Sequence, residues 1–213
     1  MVRFFIAYDE EDLSLGHYFL RCKFDCLTQL EMVPQLSPQI TEIPSARCTK
    51  EYIEIQTMIH QDEPFVFVAF SHGNENSLVS VNDNYITTET INASFNKTLF
   101  YSNSCLTAKK LGPNLIDNGC TTFIGYEQTV DKLLGDNLKT SLKCDTSGLN
   151  AFLSQDITVK EAFDQMKIVY SQEISKLERF GDILTAAVLI NSRESLVLLG
   201  NGDLTKEDLK LDR

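Results

Sequence analysis

The stretch Phe65-Val66-Phe67-Val68-Ala69-Phe70 constrains this chain more than any other. It is a short, unbroken apolar run rich in Phe and Val. That pattern reads as a strand buried on both faces, the environment of a central strand in a parallel sheet. It stops abruptly at Ser71-His72-Gly73. Thr98–Ser102 repeats the pattern and stops at Asn103-Ser104-Cys105, residues 121–126 form another such strand, and Val2–Tyr8 opens the chain before Asp9-Glu10-Glu11-Asp12.

Helical periodicity fills the intervals. Leu15, Tyr18, Phe19, Cys22, Cys26, Leu27 and Leu30 recur at three- and four-residue steps, which predicts an amphipathic helix over residues 13–32. Further helices are predicted over residues 49–59, 107–116, 148–153 and 158–180, with residues 186–190 continuing helical. A short strand is expected near residues 39–43. A hairpin of residues 77–81 and 85–90 flanks Asn82-Asp83-Asn84, and residues 195–199 make a last strand. Alternating strands and helices predict an α/β fold with a mostly parallel sheet and helices on both faces. Residues 1–205 are read as one domain and residues 206–213 as a charged, frayed tail.

Composition narrows the function. Thirty acidic residues against 19 basic ones give a net charge of −11. Nucleic-acid and anionic-membrane surfaces need clusters of Lys and Arg that this chain lacks. No apolar run reaches the roughly 18 residues of a membrane span, and no signal peptide is visible. Six cysteines show no C-x-x-C and no zinc-ligand set, so neither a metal nor another cofactor is expected. The expectation is a reduced, cytoplasmic protein with mostly buried thiols.

In sheets of this kind, sites gather at the C-terminal ends of strands. His72 and Cys105 end two successive predicted strands. Neighbouring strands lie about 4.8 Å apart, so the pair would share one crevice. A thiol nucleophile needs a base and a donor for the leaving amine, and an imidazole serves both ends near neutral pH. Gly73 lets a backbone N–H approach a substrate oxygen, and with the Cys105 N–H it would make an oxyanion hole. The dipole of the helix predicted after Cys105 would favour a thiolate. The other five cysteines are read as packing residues.

A hydrophobic strand ending in His72-Gly73, then a second ending in Ser104-Cys105, resembles the caspase-like (clan CD) cysteine peptidases. The resemblance is nearest to bacterial CHAT and gingipain-like proteases. Residues 111–126 (LGPNLIDNGCTTFIGY) are similar to the helix, Gly turn and strand that follow the nucleophile there. Residues 196–203 are similar to the closing strand and Gly-Asp turn. The resemblance covers roughly residues 60–205 and implies a caspase-like three-layer sandwich. It also implies a metal-free, cofactor-free Cys105–His72 dyad that cleaves a protein substrate. By analogy with small bacterial members, it implies regulated proteolysis or antiphage defence, with a regulatory or activating protein as a partner.

The caspase Gln-Ala-Cys-x-Gly signature is absent. Where arginine- or lysine-specific relatives carry an Asp two residues before the nucleophile, this chain has Asn103. A basic specificity pocket would then draw on Asn103, Ser104 and another acid, with Glu127 and Asp131 as candidates. The specificity stays open. Three rivals stand beside this resemblance. A receiver domain needs a phosphoacceptor Asp where His72 stands. A TIR-type domain matches only the opening strand. A catalytically silent caspase-like interaction module is the main non-enzyme alternative.

Overall fold

Along the first strand, alternate side chains face two different cores, and this sets the layers. In a computed structural model, which describes residues 1–91 and 93–211, strand β1 (Val2–Tyr8) sends Val2, Phe4, Ile6 and Tyr8 to one face and Phe5 and Ala7 to the other. Strand β2 (Pro38–Ile43) and strand β3 (Phe65–Phe70) flank it, both parallel. Strand β7 (Thr98–Ser102) pairs parallel with β3, and strand β8 (Thr122–Tyr126) pairs parallel with β7. Strand β9 (Leu196–Gly200) closes the order β2-β1-β3-β7-β8-β9 as an antiparallel edge. The protein is therefore mixed α/β with a six-stranded, mostly parallel sheet.

Helix α1 (Gly16–Glu31), helix α4 (Leu138–Ser154), helix α5 (Val159–Arg179) and helix α6 (Ile183–Ser195) pack against the face that carries Phe4 and Ile6. Helix α2 (Lys50–Ile59) and helix α3 (Leu111–Asp117) cover the other face, where Phe67, Phe100 and Phe123 stack in sequence across three strands. Local signals start several helices. The Thr49 hydroxyl accepts from the Tyr52 N–H. Thr158 and Glu161 form a reciprocal capping box.

A second, three-stranded antiparallel sheet grows from the end of β3. It consists of β4 (His72–Gly73), β5 (Ser77–Val79) and β6 (Ile86–Thr87), so the expected hairpin has a third strand. Several expectations are corrected. Helix α3 starts at Leu111 rather than 107, because residues 105–110 form turns. The stretch from Lys206 is not frayed. Leu209 is buried in the core, Val2 bridges Lys210, and the Leu211 N–H donates to the Met1 carbonyl at 2.9 Å. Asp212 and Arg213, the rest of that tail, lie outside the described residues. Among the described residues no helix is long and apolar enough to cross a membrane.

Helix α4 is far longer than the six-residue segment expected, and its first half buries an acid. The Asp145 carboxylate accepts from the hydroxyls of Tyr18, Tyr126 (2.6 Å) and Tyr170, and from the Lys132 ammonium at 2.9 Å. Tyr101 donates to its backbone carbonyl. One carboxylate thus ties α4 to α1, β8 and α5. Burial alone would raise this carboxyl. The Lys132 charge and the three hydroxyls outweigh burial and hold it below its ordinary range.

Replacing Asp145 with Ala leaves Lys132 buried without a counter-ion. Urea denaturation is expected to show a loss of about 3–5 kcal/mol. Because the folded carboxyl is held low, its contribution is complete above about pH 4. It is lost as the pH falls through the folded value, so wild type and variant should converge in acid.

Candidate active site

The site is built where β3 and β7 end side by side. Ala69 pairs with Ser102 in register. Beyond the last paired residues the two chains stay in contact, with the Asn103 N–H donating to the Ala69 carbonyl at 2.9 Å. The Ser104 hydroxyl donates to the Ser71 carbonyl at 2.8 Å. His72-Gly73 and Ser104-Cys105 therefore leave the sheet as adjoining turns. A Cβ added to Gly73 would sit 2.8 Å from Ser104 Cβ, 2.8 Å from Thr107 Cγ2 and 2.9 Å from the Cys105 carbonyl oxygen. Only glycine fits this approach.

Cys105 occupies a sharp elbow. The residue after it, Leu106, has φ of +64°, a left-handed conformation that a leucine adopts only when the surroundings impose it. The Leu106 N–H donates to the Gln128 carbonyl at 3.2 Å and the Ala108 N–H to the Tyr126 carbonyl at 3.0 Å, which clamps the elbow to β8 and the segment after it. Since residues 105–110 are turns, the expected helix dipole does not act on the Cys105 sulfur. The elbow frees a donor instead, because the Cys105 N–H has no acceptor among the described residues. Gly73 supplies a second outward donor. The Asn74 N–H bonds the Ser77 carbonyl at 2.9 Å. Antiparallel alternation then makes Gly73–Leu78 a pair without mutual hydrogen bonds, and its N–H turns away from β5.

His72 is fixed from two sides. Its Nε2 lies 3.3 Å from Asp12 Oδ1. The Phe19 ring of α1 meets the imidazole edge-on at 5.4 Å. Burial would raise the Asp12 carboxyl. The Ser14 hydroxyl, the Leu15 and Ser14 N–H groups and His72 together bring it down to about 2. Asp12 is therefore a carboxylate at neutral pH, and His72 Nδ1 is the nitrogen left for other partners. The sequence shows Asp12 only as the last of four acids after a strand. Its role comes from the turn that it caps before α1.

The Cys105 sulfur has two hydrogen-bond partners, both on one residue. The Val130 N–H donates to Sγ at 3.3 Å, and the thiol donates to the Val130 carbonyl at 3.5 Å. Cys105 is also the one partly exposed thiol of the six. Burial pushes Cys26, Cys48 and Cys120 up to about 12 and raises Cys22 and Cys144 strongly. Five thiols are thereby both shielded and protonated.

The specificity candidates separate. Asn103 and Ser104 are buried just before Cys105, while Glu127 and Asp131 are exposed. The side chain from this segment that reaches the Asn103 amide is Lys132, bridging it to Asp145. Neither Lys132 nor Asp145 was singled out by sequence. The available signal was an acid lying four residues from each of Ser141 and Leu149, on the buried stripe of α4. Among the described residues no group of three or more His, Cys, Asp or Glu could hold a metal ion. A surface groove of about 530 Å³ includes neither His72 nor Cys105. Arg21, Lys139, Thr146 and Asn150 are among its lining residues.

No protein-family model matches this chain, and no curated protein matches it.

Prolonged exposure of the folded protein to excess iodoacetamide should modify Cys105 and spare the other five, as read by peptide mass spectrometry. Gly73→Ala should displace the Cys105 turn. Slower Cys105 alkylation and a lower Tm relative to wild type are the expected readouts.

Proposed function

We propose that this chain is a cysteine endopeptidase of caspase-like type, with Cys105 as nucleophile, His72 as general acid–base and Asp12 as the positioning residue for His72. The observation that carries the reading is the contact between two adjacent strand-end turns. One turn holds a carboxylate-anchored imidazole followed by an obligatory glycine. The other holds the one accessible thiol, at a left-handed elbow. Peptide hydrolysis uses each part. His72 takes the Cys105 thiol proton, the thiolate adds to the scissile carbonyl carbon, and the oxygen gathers charge between the Gly73 and Cys105 N–H groups. His72 protonates the leaving amine as the C–N bond breaks. It then takes a proton from the water that cleaves the thioester, which returns the thiol. Asp12 stabilises the imidazolium that carries each proton in transit, first the thiol's on its way to the amine and then the water's on its way back to the thiolate, and it keeps the ring oriented. Every step is met by this chain's own groups.

The substrate is a protein whose residue preference is left open. The −11 charge favours a basic substrate or partner over an acidic one. The test is labelling with peptidyl acyloxymethylketones of varied pre-cleavage residue, together with hydrolysis of the matching peptides. Cys105→Ala should abolish both. His72→Ala should lower kcat/KM by about 10²–10⁴-fold. Asp12→Asn should lower kcat by about 10–100-fold with KM little changed, because it disorients the base without touching substrate. Cys105 labelling that ignores His72, with no hydrolysis of any peptide, would favour the silent interaction module.

A further inference from the structure

We propose that residues 127–134, the segment joining β8 to α4, are an autoinhibitory strap across Cys105, latched by the buried Lys132–Asp145 pair. The inhibition has meaning only if the peptidase reading holds, but the strap itself is a matter of geometry. A nucleophilic thiol must present its sulfur to an incoming carbonyl and pass its proton to the imidazole. Here both hydrogen bonds of the sulfur go to the Val130 main chain, while His72 Nε2 faces Asp12. A backbone residue lying on the sulfur occupies the place that a substrate backbone would need.

The strap is pinned along its length. The Gln128 carbonyl accepts from Leu106, and the Thr129 carbonyl accepts from the Asn191 amide at 3.0 Å. The Val130 side chain is buried in the core. The Leu133 N–H donates to the Ser141 hydroxyl at 3.3 Å. Among the described residues Lys132 makes the strap's one ionic attachment, with its side chain 3% exposed.

That attachment is also the one built to release. When Lys132 leaves, Asp145 keeps the hydroxyls of Tyr18, Tyr126 and Tyr170, so the remaining anion still has donors. The ammonium gains water. The same step frees the Asn103 amide oxygen, two residues before the nucleophile, while the amide nitrogen stays on Cys22 Sγ at 3.7 Å. A single movement would then uncover the sulfur and open space beside it. A partner or substrate that draws Lys132 outward would be an activator.

The test compares Cys105 alkylation rates by iodoacetamide in the full chain. The strap predicts that wild-type Cys105 reacts at least about tenfold slower than the thiol of a free peptide spanning residues 100–110, as for a site open a tenth of the time or less. It predicts that Lys132→Met/Asp145→Asn, which removes both charges together, restores most of that rate while the other five cysteines stay protected. Val130→Gly, which removes the core anchor, serves as the second variant should the first unfold and label at all six positions. Wild-type Cys105 reacting as fast as the peptide overturns the strap. So does an unchanged rate in a folded variant. Peptide hydrolysis by the released variants separates the two claims. Faster alkylation without hydrolysis leaves the strap standing and removes the peptidase reading. Fast wild-type alkylation with hydrolysis does the reverse.

Discussion

The parallel pairing of β3 with β7 is the constraint on which the rest depends. Both strands are buried on both faces, so neither can slip by one residue without sending aromatic side chains to the wrong core. That register places Ala69 opposite Ser102, and the next residues of each strand must leave the sheet together. The proximity of His72-Gly73 to Ser104-Cys105 follows from strand pairing rather than from any attraction between imidazole and thiol. The site is thus set by the most rigid part of the molecule, as precise chemistry requires.

Behind that edge stands a polar hub of unusual composition. An apolar residue at position 145 would complete the stripe of α4. Instead a carboxylate gathers three tyrosine hydroxyls and a lysine, which costs desolvation that these donors together offset. The same burial raises the four tyrosines around it, Tyr18, Tyr101, Tyr126 and Tyr170, well above the ordinary range, so they serve as neutral donors. Lys132 links the hub to Asn103, two residues before Cys105.

Much of this was readable from the sequence, for identifiable reasons. Phe65–Phe70 and Thr98–Ser102 are unambiguous because a continuous apolar run has few alternatives in a chain of this size. Their ends mark His72, Gly73 and Cys105; the packing role of Cys22 and Cys26 follows from the apolar period of their helix, and that of Cys48, Cys120 and Cys144 from the common burial of free cysteines. What stayed hidden was non-local. The contact of Asp12 with His72 depends on a turn that folds an acid back over the end of β3. The first half of α4 was missed because Asp145 breaks its apolar period, and the partners that explain Asp145 come from four other parts of the chain. The start of α3 was misjudged because the left-handed Leu106 delays the helix until Leu111. The clasp of Val130 on Cys105 joins residues with no shared local pattern.

The central claim is that two strand-end turns make one catalytic centre. A crystal structure of the protein treated with a peptidyl chloromethyl ketone tests it most directly. The account predicts a thioether at Cys105 Sγ, the inhibitor oxygen facing the Gly73 and Cys105 N–H groups, and the His72 ring beside it with Nε2 still on Asp12. Val130 should be displaced from the sulfur. An adduct on another residue, or one at Cys105 whose oxygen points away from both N–H groups with His72 uninvolved, would contradict it.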